Sequence, residues 1–173
     1  MQKSVEVLHN FVIHTIEPIW NKNSKVLILG SIPSPKSREV GFYYSHPQNR
    51  FWKVIAEVMS QEVPTTIEEK KQFLLDNKIA MWDVLQSCKI INADDNSISE
   101  PIVNDISRIL AQADIKAVFT TGKKATDLYR KHCVTSEGDI LPIYLPSTSS
   151  ANCRMKFEDM VKEYRIIVKA CSD

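Results

Sequence analysis

The sequence predicts an α/β protein, a three-layer α/β/α sandwich on a central, mainly parallel four-stranded sheet. Three observations carry that expectation. Short apolar, β-branched runs recur at residues 26–29, 79–84, 115–120 and 140–145. Segments with helical spacing separate them, so successive strands need crossovers that pack over the sheet with one hand. With 173 residues, 43% of them hydrophobic, the chain can bury one core without disulfides or metals, and it reads as one domain over 1–173, with 1–24 as an extension packed on it.

The first run, Val26 to Leu29, ends at Gly30 before a Ser/Pro-rich stretch, which reads as a buried parallel strand entering a functional loop over 31–47. After His46-Pro47, residues Phe51, Trp52, Ile55, Val58 and Met59 fall at helical spacing. Thr66-Ile67-Glu68-Glu69 is a capping-box pattern, opening a helix that runs through Phe73, Leu74 and Leu75 towards Asn77 and feeds the strand at 79–84. Following a polar stretch at 92–99, Pro101 suits the first turn of a helix burying Ile102, Ile106, Ile109 and Leu110. Gly122 opens another helix through Ala125, Leu128 and Tyr129, after the strand at 115–120. The strand at 140–145 ends in Pro146-Ser147-Thr148-Ser149-Ser150, and the last helix places Cys153, Phe157, Met160, Val161, Tyr164, Val168 and Cys171 on one stripe. Val5, Leu8, Phe11, Val12 and Ile16 suggest an amphipathic helix on the outside of the sheet. In such sheets the ligand crevice lies beyond the carboxyl ends of the strands, which gathers residues 30–49, 120–124 and 146–152 around one cleft.

Composition narrows the function only by exclusion. No apolar run reaches the ~18 residues of a membrane span, so the chain reads as intracellular, cytoplasmic and without a membrane partner. Cys88, Cys133, Cys153 and Cys171 lack metal-ligand spacing, so they read as reduced, mostly buried thiols, with no metal and no cofactor expected. Lys plus Arg number 22 against 21 for Asp plus Glu, far from the basic balance of many nucleic-acid binders. Affinity for a polyanion would therefore need a local basic surface, with candidates at Lys36, Arg38, Arg50, Lys53, Lys123, Lys124, Arg154 and Lys156. Gly122-Lys123-Lys124 lacks the spacing of a phosphate-binding glycine loop, and no G-x-S-x-G elbow marks an α/β hydrolase.

The long string Leu29-Gly30-Ser31-Ile32-Pro33-Ser34, followed by Gly41-Phe42-Tyr43-Tyr44-Ser45-His46-Pro47-Gln48-Asn49-Arg50-Phe51-Trp52, resembles the first motif region of the hypoxanthine-DNA glycosylases, a branch of the uracil-DNA glycosylase superfamily. Ala80 to Leu85 resembles that family's second-strand segment, and Leu145 to Asn152 its second motif, so the likeness runs in order over residues 25–165. The resemblance implies a uracil-DNA glycosylase-like fold and a monofunctional enzyme acting on DNA with deaminated bases. Such an enzyme flips the damaged nucleotide into a pocket and hydrolyses its N-glycosidic bond, with hypoxanthine as substrate and uracil or xanthine as further bases. Two familiar catalytic side chains of ordinary uracil-DNA glycosylases are missing: Ile32 stands where their first motif carries an aspartate, and Leu145 where their second motif starts with a histidine. The hypoxanthine branch instead places an asparagine that matches Asn49, the expected catalytic residue.

An amide such as Asn49 can hold a water with its carbonyl and a base oxygen with its NH₂. Asparagine is also a preferred N-cap, so Asn49 fits the start of the following helix on chemistry alone. Ser31 is grouped with Asn49 at the catalytic loop, whose backbone N–H groups can act as fixed dipoles for the leaving base, and Gly30, Ile32 and Pro33 are expected to line the base pocket. Phe42, Tyr43 and Tyr44 offer a ring to stack on a flipped base, or belong to the core of the loop. His46 reads as a pocket hydrogen-bonding group or a turn residue, and Leu145 completes the pocket. Ser147, Thr148, Ser149, Ser150 and Asn152, at the start of the last helix, suit a clamp on DNA phosphates with Lys36, Arg50 and Lys123, or plain helix capping. Asp83 either faces the cleft or caps a loop. A monomer is the default for an enzyme wrapping one face around a duplex. A uracil-preferring enzyme and a non-catalytic lesion-binding module are the alternatives.

Overall fold

A computed structural model describes residues 10–173. The strands are β1 (Asn10–Ile13), β2 (Val26–Gly30), β3 (Ile79–Asp83), β4 (Leu85–Ile91), β5 (Asp94–Val103), β6 (Ala117–Thr121) and β7 (Pro142–Leu145). The helices are α1 (Pro35–Val40), α2 (Phe51–Val58), α3 (Ile67–Asp76), α4 (Ser107–Leu110), α5 (Lys123–His132), α6 (Phe157–Tyr164) and α7 (Ile166–Ser172). Strands β3-β2-β6-β7 form a four-stranded, all-parallel sheet, as the alternating pattern predicts. Every residue of β2 and β3 is buried, the mark of parallel strands covered on both faces. None of the helices among the described residues is long and apolar enough to cross a membrane.

A second, three-stranded antiparallel sheet in the order β1-β4-β5 was not expected, and it corrects two helix assignments. Phe11 and Val12 lie on a strand whose Val12 pairs with Cys88, not on a helix; Val5 and Leu8 fall outside the described residues. Pairing with β4 satisfies the β1 backbone, while Val12 and His14 are buried and Phe11 and Ile13 stay exposed, the two-residue alternation of a strand. Pro101 lies inside β5 rather than opening a helix, and the helix there is reduced to α4. Since β5 is the sheet's edge, a residue without an N–H is tolerated in it, and Ile102 is exposed while Ile106 and Ile109 are buried.

The second sheet is anchored at the carboxyl end of the first. Val84 N–H donates to Gly30 O at 2.8 Å and Leu85 N–H to Ser31 O at 3.0 Å, stitching the loop after β2 to the β3–β4 junction. Asn104 closes the other side, its backbone donating to Val84 O and its side chain to Asp83 O at 2.9 Å. The β4–β5 hairpin, turning at Asn92 with φ 53°, therefore projects over the edge of the parallel sheet where a ligand would enter.

Helix α2 buries Phe51, Trp52, Val54 and Ile55 and packs against α6. The capping box at Thr66 and Glu69 forms as expected. The expected single last helix is two, broken at Arg165, and Ile167 is buried where Val168 was expected to be. Cys153 lies outside both and is exposed, Cys88 is buried, and Cys133 and Cys171 are half-buried; all four are free thiols.

Candidate active site

The carboxyl ends of β2, β3 and β6 meet at Gly30. A Cβ placed on Gly30 would lie 2.6 Å from Asp83 Oδ1 and 3.5 Å from the Tyr44 hydroxyl oxygen, so only glycine lets these two groups converge there. Gly30 and Asp83 are register partners on adjacent parallel strands, which is why the Asp83 side chain leans across the glycine. The Tyr44 ring stacks on Phe51, with centroids 4.1 Å apart and planes 13° from parallel, and its hydroxyl shares a 2.9 Å hydrogen bond with Thr121 Oγ1. Tyr44 has φ 51°, a left-handed backbone that turns this one aromatic back over β2.

Asp83 is the only buried carboxyl among the described residues, and its Oδ2 has no hydrogen-bond partner among them. Burial, reinforced by the nearby Asp95 carboxylate, pushes Asp83 up to about 8. Asp95 comes from β5, over the cleft, and accepts the Ser31 hydroxyl proton at 2.9 Å. Burial raises Asp95 as well, opposed by the Ser31 hydrogen bond and by Lys124. A neutral carboxylic acid at Asp83 is thus a hydrogen-bond donor at neutral pH, in a loop region otherwise lined by backbone, hydroxyl and aromatic groups.

The expected site residues separate into two sets. Gly30, Ser31, Tyr44 and Asn49 belong to the loop that leaves β2 and returns into α2. Asn49 Oδ1 accepts the Phe51 N–H at 2.9 Å, so the amide carbonyl does bind the start of α2, while its NH₂ has no partner among the described residues. Ile32 and Pro33 are buried, with Pro33 O accepting from Arg38 at 2.9 Å, and Leu145 is buried with its carbonyl accepting the Gly122 N–H. His46 is exposed and its Nδ1 accepts the Gln48 N–H, a turn contact.

The second set is structural. Phe42 stacks on Trp52 and Tyr43 donates its hydroxyl to Glu17 O at 2.9 Å; both are buried, so neither offers a face to a base. Their apolar area is spent holding the loop to the sheet. Ser147 to Ser150 do not start the last helix, which opens at Phe157. They fold on themselves: Ser147 Oγ accepts from Ser149 N–H, Ser149 Oγ from Ala151 N–H, Asn152 donates to Ser147 O, and Ser150, exposed, opens a short 3₁₀ turn. Thr148 is buried and its carbonyl accepts the Arg50 N–H. The Arg50 guanidinium is committed to Met155 O at 2.6 Å and Asn152 O at 2.9 Å, so it braces the loop after β7 against α2. Lys36, half-buried, and Lys123, exposed, are cations paired with Glu39 and Asp127. A shallow recess between Gln48, Arg50, Ser150 and Cys153 joins these two loops, whereas a larger one, lined by residues 13–17, Arg38 and Phe42, includes neither Gly30, Asn49 nor Asp83. The chemistry, not the larger volume, marks the site.

Asp95 is the residue that the sequence does not reveal. Its signal is the hairpin turn, Asn92-Ala93 between Ile91 and Asp94, hidden inside a stretch that reads only as polar.

A model of the uracil DNA glycosylase superfamily matches residues 18–169. A hypoxanthine DNA glycosylase of Methanosarcina barkeri is 31% identical over 110 residues, 62% of this chain and 70% of its own length. One from Methanosarcina acetivorans is 29% identical over 138 residues, 79% and 85% of the two chains. The solution NMR structure of a candidate uracil DNA glycosylase from Methanosarcina acetivorans superposes with a TM-score of 0.72 at 25% identity, covering 89% of this chain and 97% of that one.

Proposed function

The chain belongs to the uracil DNA glycosylase superfamily, and from that premise we propose that it releases hypoxanthine from deoxyinosine in DNA, with Asn49 at the reaction centre. It is a DNA glycosylase, a hydrolase of N-glycosyl bonds. What supports the hypoxanthine reading is that the two relatives are named hypoxanthine DNA glycosylases. Uracil and xanthine share with hypoxanthine a carbonyl where the parent base has an amino group, so they enter as secondary substrates. One copy acts on one lesion in the cytoplasm, without a cofactor.

The observation that carries the site is the half-used amide of Asn49. Its carbonyl is held by the Phe51 N–H, which fixes the side chain, and its NH₂ is left for a ligand. A carbonyl oxygen has a second lone pair, so a water can sit there while the NH₂ reaches the base. Bond cleavage leaves positive charge on the sugar and negative charge on the base, and a fixed dipole aimed at the base lowers that barrier without titrating. Tyr44 is the ring of the aromatic trio that remains at the cleft to receive a flipped base. The Ser147 to Asn152 loop offers backbone groups to phosphates beside Lys123.

The test is base release from end-labelled oligonucleotides containing one deoxyinosine, one deoxyuridine or no lesion, with alkali to cut abasic sites. Release from deoxyinosine, falling about a hundredfold in Asn49→Ala, is expected. Lesion-selective binding with no release from any substrate overturns the reading in favour of a binding module.

A further inference from the structure

Resting on that glycosylase reading, we infer that Asp83 is a further catalytic residue, a neutral carboxylic acid whose O–H donates a hydrogen bond to a carbonyl oxygen of the departing base. The cleft needs such a donor. A histidine is absent from the start of the loop after β7, where Leu145 is buried, and Ile32 is apolar. Asn49 supplies one NH₂. Against this shortage the fold brings a carboxyl to the one point where β2 has no side chain. Asp83 Oδ1 lies within 2.6 Å of the position a Gly30 Cβ would take, and Oδ2 is buried and unpartnered among the described residues. An orphaned buried oxygen costs stability, and a ligand that pairs with it recovers the loss.

The surroundings keep the acid protonated. From β5 comes only another carboxyl, Asp95, already engaged by Ser31 Oγ at 2.9 Å. From the loop before α2 come the Tyr43 and Tyr44 phenols, both pushed well above their ordinary range by burial first and then by Asp83. His14, which bonds Leu85 O at 2.7 Å next to this junction, is pulled down by burial and is neutral. Lys124, on α5, draws on Asp95. No salt bridge reaches Asp83 among the described residues. A carboxyl with no cation and no donor cannot ionise cheaply, so it presents an O–H. The Tyr44 hydroxyl, the other group over Gly30, is engaged by Thr121 Oγ1 at 2.9 Å.

The proton stays on Asp83 throughout: the bond between sugar and base breaks with its electron pair going to the base, the donated hydrogen bond stabilises that charge, water adds its oxygen to the sugar, and the proton the water loses ends on the departed base through solvent. An amino-substituted base presents hydrogens where this donor needs an acceptor, which favours deaminated bases.

Single-turnover base release from the deoxyinosine oligonucleotide, measured between pH 6 and 9.5 for wild type, Asp83→Asn and Asp83→Leu, tests this. Asp83→Leu should lose about a hundredfold at neutral pH with the oligonucleotide still bound. Asp83→Asn, a donor that does not titrate, should retain most of the rate and lose the wild-type decline above pH about 8. The N1–H of the base titrates identically in both proteins, so the difference between the profiles isolates Asp83. An unchanged rate in Asp83→Leu, or superposable wild-type and Asp83→Asn profiles, overturns the inference. Should Asp83→Leu not fold, the Asp83→Asn profile decides alone. Wild-type protein that releases no base overturns the proposed function itself, a result distinct from wild-type release that is indifferent to Asp83.

Discussion

At the cleft, Asp83 is buried with an oxygen that nothing among the described residues partners, and Asp95 beside it has one hydroxyl donor, Ser31. Beyond the far end of α5, Asp139 is half-buried and accepts from Thr135 N–H, Ser136 N–H and both hydroxyls of the same residues. Glu69, exposed at the start of α3, likewise accepts from Thr65 N–H, Thr65 Oγ1 and Thr66 N–H. The same chemical group is held below its ordinary range where backbone donors surround it and above that range where they are withheld. Carboxylates that build loops are given donors; the pair at the cleft is left short of them. Other buried atoms among the described residues also lack a partner, Thr148 Oγ1 and Trp82 Nε1 among them, but Asp83 is the buried carboxyl of the set, and a carboxyl short of donors at a strand end marks a candidate for a ligand.

The largest break in that comparison comes from Gly30. In Gly30→Val the new side chain occupies the space at Asp83 Oδ1, which a Cβ already approaches at 2.6 Å, and the Asp83 carboxyl has to leave the cleft edge. Base release should fall by at least about a hundredfold. Overpacking at this buried strand end should destabilise the fold by ~1–3 kcal/mol, read from urea unfolding. Unaltered turnover in a folded Gly30→Val protein would show that nothing reacts near Gly30.

Next comes the pH dependence of stability, where the two sets of carboxyls have opposite signs. Asp83 has a folded pKa of about 8 against 3.8 unfolded, so between those values the folded state binds more protons. Its contribution is intact below pH about 4 and is lost as the pH rises towards 8, at no more than ~1.4 kcal/mol per pH unit. Asp139 and Glu69 are lowered, so they contribute above their unfolded pKa and lose that contribution as the pH falls through the folded one. Urea unfolding at constant ionic strength should therefore show a fall in stability between pH 5 and 8 that Asp83→Asn flattens, while Asp139→Asn alters only the acid limb. A wild-type curve rising through that window would mean that Asp83 is ionised and partnered.

What the sequence makes legible follows the same physics. Val26 to Leu29, Gly122 and the Thr66–Glu69 box report local preferences that the tertiary structure does not contest, so strands, turn and cap all stand where the pattern puts them. Phe11, Pro101 and Asp95 depend on which strand lies alongside, and a pairing partner 78 residues away for Phe11, namely Lys89, leaves no local trace. In the site, Asn49 and Gly30 are legible through the motif they share with a family. Which of Phe42, Tyr43 and Tyr44 faces the cleft is decided by a left-handed backbone at Tyr44, which no periodicity announces. Arg50 reads as a phosphate contact because arginine is charged, yet both its terminal nitrogens donate to carbonyls of the loop after β7.

The smallest expected effect separates architecture from chemistry at Asn49. Asn49 Oδ1 and Thr66 Oγ1 both accept a backbone N–H at the start of a helix, from Phe51 at 2.9 Å and from Glu69 at 3.1 Å. Replacing either by alanine removes one such bond, at a typical cost of ~1 kcal/mol. Thr66 lies at the start of α3, away from the cleft residues, so Thr66→Ala should lose that stability and release base at the wild-type rate under conditions where both proteins remain folded. Asn49→Ala should show the same loss of stability together with the fall in base release, because its NH₂ is lost as well. If the two variants instead slow the reaction equally, the Asn49 effect is one of stability alone, and the amide is a cap that happens to border the cleft.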